Sequence, residues 1–107
     1  MLTMLTGLAL IASGPQAQPA PLDEAALRTY PDARGMPADV QQFIVQWQDC
    51  AHWIGEPAWN EERQRQINEA VAEVCPGVDA RRAELRARYT GNPEVLARIA
   101  DYEALGQ

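Results

Sequence analysis

The chain of 107 residues contains no lysine, one histidine and two cysteines, and it has no long apolar run. The longest run, residues 5–12, has about eight residues, whereas a helix that spans a bilayer needs about 20. No segment alternates polar and apolar residues over a useful length, so strands are not expected. The sequence therefore predicts an all-α protein without a stable membrane anchor.

Catalytic motifs are also missing. We find no glycine-rich phosphate loop, no Ser/His/Asp order and no paired carboxylates in an evident cleft, and the domain is too small to enclose a large pocket. These absences predict a protein that is not an enzyme, with no catalytic residue, no metal ligand and no cofactor.

Positive charge is scarce, because nine arginines stand against fifteen acidic residues and give a net charge of -6. Nucleic acids and anionic membranes reward basic surfaces, so neither is expected as a partner. A protein partner with a basic surface remains compatible with this balance.

The N-terminal third is rich in proline and divides into two predicted regions. Residues 1–20 are predicted to be a signal peptide with an uncertain cleavage site, which implies a periplasmic or secreted protein. The alternative is an apolar N terminus without a targeting role. Residues 21–36 are predicted to be a flexible linker in which Leu22–Tyr30 alone could form a short helix, started by Asp23 and stopped before Pro31.

Residues 37–107 are predicted to form a small four-helix domain. Apolar residues recur at spacings of three and four along each segment, and Asn60, Asp79 and Asn92 can cap three of the helices. The predicted helices cover about residues 38–54, 60–75, 79–90 and 92–105.

Two cysteines in an exported chain with a small core predict one disulfide, Cys50–Cys75. If the first two helices formed a plain antiparallel hairpin, Cys75 would lie roughly 16 Å beyond the position opposite Cys50, whereas a disulfide needs Cα atoms within about 7 Å. We therefore expect residues 55–60 to run extended before the second helix returns. Trp59 is expected to pack beneath that helix, and the alternative is an exposed tryptophan that binds a partner.

Cys50 and His52 cannot form one site on an intact helix. With Val40 at zero on a helical wheel, Cys50 falls at about 280° and His52 at about 120°. The two side chains point to nearly opposite sides, and together with Cys75 they supply too few ligands at suitable spacing for zinc.

A second face of the helix predicted at 38–54 lies opposite its core stripe and carries Asp49, His52 and Trp53, with Glu56 next along the chain. One interpretation is that the third or fourth helix covers this face and that a neighbouring carboxylate binds His52. Another is an aromatic, acidic binding face that selects a cationic partner. A third is a solvated face with an incidental tryptophan.

The segments CAHWIGE, AWNEER, VCPGVD, RARYTGNPEVL and ARIADYE occur in this order between Cys50 and Glu103. The ordered set resembles an uncharacterised family of small exported proteobacterial proteins with a C-x-H-[FW]-x-G-E motif and a second downstream cysteine. The resemblance implies an exported, cysteine-tied helical domain and carries no activity with it. Family members often place an acid before the histidine, whereas this chain has Ala51, which counts against an acid–histidine ligand pair here.

The leading functional hypothesis is a non-enzymatic binding module whose partner has a basic surface. The alternative is a structural or oligomer-forming envelope stress protein, and the sequence leaves the oligomeric state open. A third class, a metal-responsive or hydrolytic protein centred on His52, would require about one zinc ion per purified chain.

Overall fold

The computed structural model describes residues 18–107, and these residues form an all-helical domain without a strand. The short helix α1 (Glu24–Thr29) and a 3-10 turn (Pro31–Ala33) precede the four predicted helices, which confirms the fold class. The four are α2 (Ala38–Ile54), α3 (Glu61–Val74), α4 (Val78–Arg88) and α5 (Pro93–Ala100). Residues 1–17, most of the predicted signal peptide, lie outside the described residues.

Helix α2 is the central element of the domain. It contacts α3, α4 and the 3-10 turn, and Val40, Phe43 and Ile44 on its core stripe are fully buried. Its bounds agree with the prediction because Pro37, which lacks an N–H group, sets the start and Pro57 prevents continuation. None of the helices in residues 18–107 is both long enough and apolar enough to cross a bilayer.

Asparagine side chains start two of the helices as predicted. The Oδ1 atom of Asn60 accepts a hydrogen bond from Arg63 N at 2.8 Å, and Asn92 does the same for Val95 N at 3.1 Å. Asp79, in contrast, does not cap α4. Gly77 occupies the cap position with a φ of 79°, a left-handed conformation that glycine adopts without steric cost.

The last helix ends at Ala100 instead of near residue 105. Beyond it, Tyr102 is buried with its ring 5.0 Å from that of Trp47, and the Trp47 indole donates a hydrogen bond to Glu103 O at 2.7 Å. The chain leaves the helical path because these tertiary contacts outweigh local helix propensity.

The segment predicted as a flexible linker is packed against the core. Ala33 is fully buried, and Gln41 joins the segment to α2, since its Oε1 accepts from Leu22 N at 2.9 Å and its Nε2 donates to Ala33 O at 3.0 Å. The short helix starts at Asp23 and stops before Pro31 as expected. Residues 22–36 therefore belong to the folded domain, because buried contacts hold them in place.

The predicted disulfide joins Cys50 and Cys75, whose Cα atoms lie 5.0 Å apart. Residues 56–59 between α2 and α3 form neither helix nor strand, so α3 is not the second arm of a tight hairpin. The Gln46 side chain strengthens the junction by donating to Val74 O and Pro76 O, both at 3.0 Å, at the carboxyl end of α3. Because Cys75 lies next to Cys50, the two helices do not pair in the register of a plain hairpin, and the connection between them is opened as predicted.

Candidate binding surface

Residues 52–63, which we call the corner, connect the end of α2 to the first turn of α3. Cys50, which the disulfide joins to Cys75, lies two residues before the corner, and the Asn60 cap fixes the start of α3. Both flanks of the corner are thus held in place by a covalent or hydrogen-bonded contact.

The structure separates Asp49 from the other three residues of the predicted face. Its Oδ1 accepts a hydrogen bond from the Tyr30 hydroxyl at 2.7 Å, and this bond to the carboxylate is the main reason why the pKa of Tyr30 is raised. One interpretation had α4 or α5 covering this side, but the side chain that binds Asp49 comes from the N-terminal segment. Asp49 consequently contributes to the attachment of that segment.

His52 lies in the last turn of α2 and Glu56 lies just beyond the helix, with 3.1 Å between His52 Nε2 and Glu56 Oε1. The contact of His52 with a carboxylate, one part of the first interpretation, is therefore present, but the His52 side chain is 59% exposed and no described helix covers it. The His52 ring also meets the Trp53 ring edge-on at a centroid distance of 5.3 Å. Glu56 is more buried than His52, so it forms the inner member of the pair.

Arg63 contacts three other side chains of the corner. Its guanidinium carbon lies 5.4 Å from the ring centroid of Trp53 and 5.2 Å from that of Trp59, and its Nη2 atom lies 3.3 Å from Glu56 Oε2. Stacking on aromatic rings together with a carboxylate contact is a favourable environment for a guanidinium group. Five side chains of the corner thereby form one cluster: His52, Trp53, Glu56, Trp59 and Arg63.

The position of Trp59 was predicted wrongly. Its side chain does not pack beneath α3 and is 70% exposed, while Ile54, expected on the core stripe of α2, is 45% exposed. These two are the exposed large apolar residues of the part of the chain that the structure describes. The corner therefore carries an apolar surface beside charged groups.

The corner contains neither a free thiol nor a cluster of metal-binding side chains. Both cysteines are oxidised and buried, so neither offers a thiolate nucleophile. Across residues 18–107 no group of three or more His, Cys, Asp or Glu side chains lies close enough to hold a metal ion. The side chains available to a ligand are instead an indole, an imidazole and partly exposed carboxylates.

A shallow cleft of about 560 Å³ lies elsewhere, between the N-terminal segment and α5. Its two arginines already have acidic partners, since Arg34 binds Glu24 at 2.7 Å and Arg98 binds Asp101 at 3.2 Å. Glu94 is the one charged residue of the lining without a salt-bridge partner within residues 18–107. The cleft has no exposed large apolar residue, whereas the corner has two, so the corner is the stronger candidate.

Comparisons with protein-family models, with curated proteins and with solved structures found no match to this chain. The candidate surface therefore depends on the geometry of these residues alone.

Sequence reasoning missed Arg63 as a member of the surface and gave exposure of Trp59 only as the alternative. The available signal was their spacing of four across the start of α3, which allows two side chains to meet. The direction of the connecting segment depends on long-range contacts, so the spacing alone did not reveal which side of Trp59 would remain exposed.

Proposed function

We propose that this chain is a non-enzymatic, periplasmic or secreted binding module that uses the corner to engage a protein partner. The observation that carries the proposal is the 70% exposure of Trp59 in a segment held by a disulfide and a helix cap. Tryptophan is enriched among the residues that dominate binding energy, and a preordered surface loses little conformational entropy on binding. The disulfide suits an extracytoplasmic location.

The charge of the corner favours a partner with a basic surface, such as a basic envelope protein. Residues 52–63 contain three carboxylates and one arginine, in a chain with a net charge of -6. Complementary charge accelerates encounter and selects among partners more than it increases affinity.

Capture from an envelope extract tests the proposal, with the mature oxidised chain as bait beside its Trp59→Ala and Trp53→Ala variants. We expect Trp59→Ala to weaken affinity for a specific partner by about thirtyfold and to reduce its recovery accordingly, since loss of a central tryptophan costs about 2 kcal/mol. Arg86→Ala, an exposed change on α4, is the matched control and should leave recovery unchanged. Equal recovery with Trp59→Ala and the wild type would exclude the corner as the binding surface.

A structural role through self-association is the second candidate function. The exposed apolar side chains of Ile54 and Trp59 support it, because a second copy of the chain could bury them. Sedimentation of the mature chain at micromolar concentration distinguishes the candidates: a monomer contradicts assembly, and a dimer that Trp59→Ala dissociates supports it.

A further inference from the structure

The corner already binds a cation that belongs to the chain itself. The Arg63 guanidinium lies near two indole rings and a carboxylate, at 5.4 Å from Trp53, 5.2 Å from Trp59 and 3.3 Å from Glu56. Aromatic faces attract cations because the ring quadrupole places negative charge above and below the ring plane. This combination of aromatic faces and acid is suited to recognition of a guanidinium group.

One face of Trp59 remains open. An indole has two faces, Arg63 lies over one of them, and the residue is still 70% exposed. The opposite face is therefore accessible to solvent, and it carries the same negative quadrupole charge as the face that Arg63 occupies. A second cation could stack there and extend the series Trp53, Arg63, Trp59 by one member.

The surrounding charge is suited to such a cation. Arg63, the one arginine of residues 48–63, lies 3.3 Å from Glu56, so its charge is largely compensated. Glu61, two residues after Trp59, is exposed and joins no salt bridge within residues 18–107. The carboxylates of Glu56 and Glu61 thus offset the repulsion between Arg63 and an approaching cation.

We propose that the open face of Trp59 is a docking point for an arginine side chain of a basic protein partner. This inference rests on the proposed function and specifies the chemistry of the partner. Arginine fits better than lysine because its planar, weakly hydrated guanidinium stacks on an aromatic ring, whereas the lysine ammonium group is compact and strongly hydrated.

A peptide titration tests the inference on the mature oxidised chain labelled with nitrogen-15. The probe is Gly-Arg-Gly-Arg-Gly, and the comparison peptide replaces both arginines with citrulline, which keeps the planar shape and removes the charge. We expect the arginine peptide to shift the indole N–H signal of Trp59 more than that of Trp47, and to bind about tenfold more tightly than the citrulline peptide. A lysine peptide should bind about threefold more weakly than the arginine peptide.

Two variants and a matched control connect the binding to the proposed face. Trp59→Ala should abolish the peptide response, and its near-ultraviolet circular dichroism should report an intact fold because the side chain is exposed. Glu61→Gln should weaken binding by about twofold at low salt, while Glu94→Gln, which removes an exposed acid from the first turn of α5, should have no effect.

Several outcomes would overturn the inference: equal binding of the arginine and citrulline peptides, absence of a Trp59 shift, or a shift caused by a neutral oligosaccharide such as chitotriose instead of the arginine peptide. Capture from the envelope extract distinguishes failure of the arginine inference from failure of the proposed function. If capture depends on Trp59 while the peptides bind equally, only the arginine preference is wrong. If capture is independent of Trp59, the proposed function itself fails.

Discussion

Asp39 shows how one side chain holds two elements together. It is 9% exposed, and its carboxylate accepts hydrogen bonds from the Tyr89 hydroxyl at 2.7 Å and from Arg88 Nη1 at 2.5 Å. Burial alone would raise the pKa of Asp39, but the bonds from Tyr89, Arg88 and the Val40 N–H outweigh burial and hold the pKa below its usual value. The charged form therefore stabilises the contact between α2 and the end of α4.

Replacing Asp39 with asparagine should lower the free energy of unfolding by about 2 kcal/mol, because a buried network loses a charged acceptor. Urea unfolding at pH 7 measures the loss. Tyr89→Phe is the control: it removes one hydrogen bond and should cost about 1 kcal/mol. An unchanged urea midpoint for Asp39→Asn would contradict a stabilising role for this carboxylate.

The contribution of Asp39 should depend on pH in a defined direction. Its pKa is lower in the folded than in the unfolded chain, so the stabilisation is fully present above the unfolded value, about 3.9, and is lost as the pH falls through the folded pKa. Urea midpoints of the wild type and Asp39→Asn should therefore differ at pH 7 and converge in acid. A constant difference from pH 7 to pH 2 would argue against this linkage.

At the level of the element, Asp79 binds the segment that follows α5. Its Oδ1 accepts from Leu105 N at 2.8 Å, and its Oδ2 accepts from Gly106 N at 2.7 Å and Gln107 N at 2.9 Å. These backbone bonds, that from Leu105 foremost, lower the pKa of Asp79. The carboxylate predicted as a helix cap thus attaches residues 105–107 to the start of α4.

Asp79→Ala should release this segment while leaving the four main helices folded. The amide protons of Leu105, Gly106 and Gln107 should lose their protection, which hydrogen exchange followed by nuclear magnetic resonance measures residue by residue. Glu84→Ala, an exposed change on α4, serves as the control and should leave those amides protected. Retained protection in Asp79→Ala would show that other contacts hold the segment.

The helices illustrate which parts of the fold sequence patterns predict. Helix α2 was predicted to its final residue because apolar spacing, Pro37 and Pro57 are local signals. The end of α5 and the docking of residues 22–36 depend on side chains distant in sequence, such as Tyr102 against Trp47 and Gln41 with Ala33. Likewise, His52 and Glu56 were assigned to one face because they are close in sequence, whereas the exposure of Trp59 depends on the path of the connecting segment.

At the level of the whole molecule, the disulfide and its surroundings determine how the chain closes. Cys50 and Cys75 are both almost inaccessible to solvent, and they belong to the same core cluster as Phe43 and Val78. The bond therefore joins α2 to the end of α3 from within the core, next to the region where α4 begins. Loss of the bond should affect the domain as a whole, beyond the corner alone.

In the chain-entropy account, closing a loop of about 26 residues stabilises the folded state by about 3.5 kcal/mol. A domain of this size has a net stability of only a few kcal/mol, so reduction should unfold a large fraction of the molecules at 37 °C. Urea unfolding of the oxidised and reduced wild type measures the difference without a change of sequence. A Cys50→Ala/Cys75→Ala double variant, measured with and without reductant, controls for effects of the reductant itself.

Because the sulfur atoms are buried, the rate of disulfide reduction should also be limited by opening of the fold and should increase with urea concentration. Equal urea midpoints for the oxidised and reduced protein would contradict a stabilising role for the bond, and the preordering argued for the corner would then lose its support.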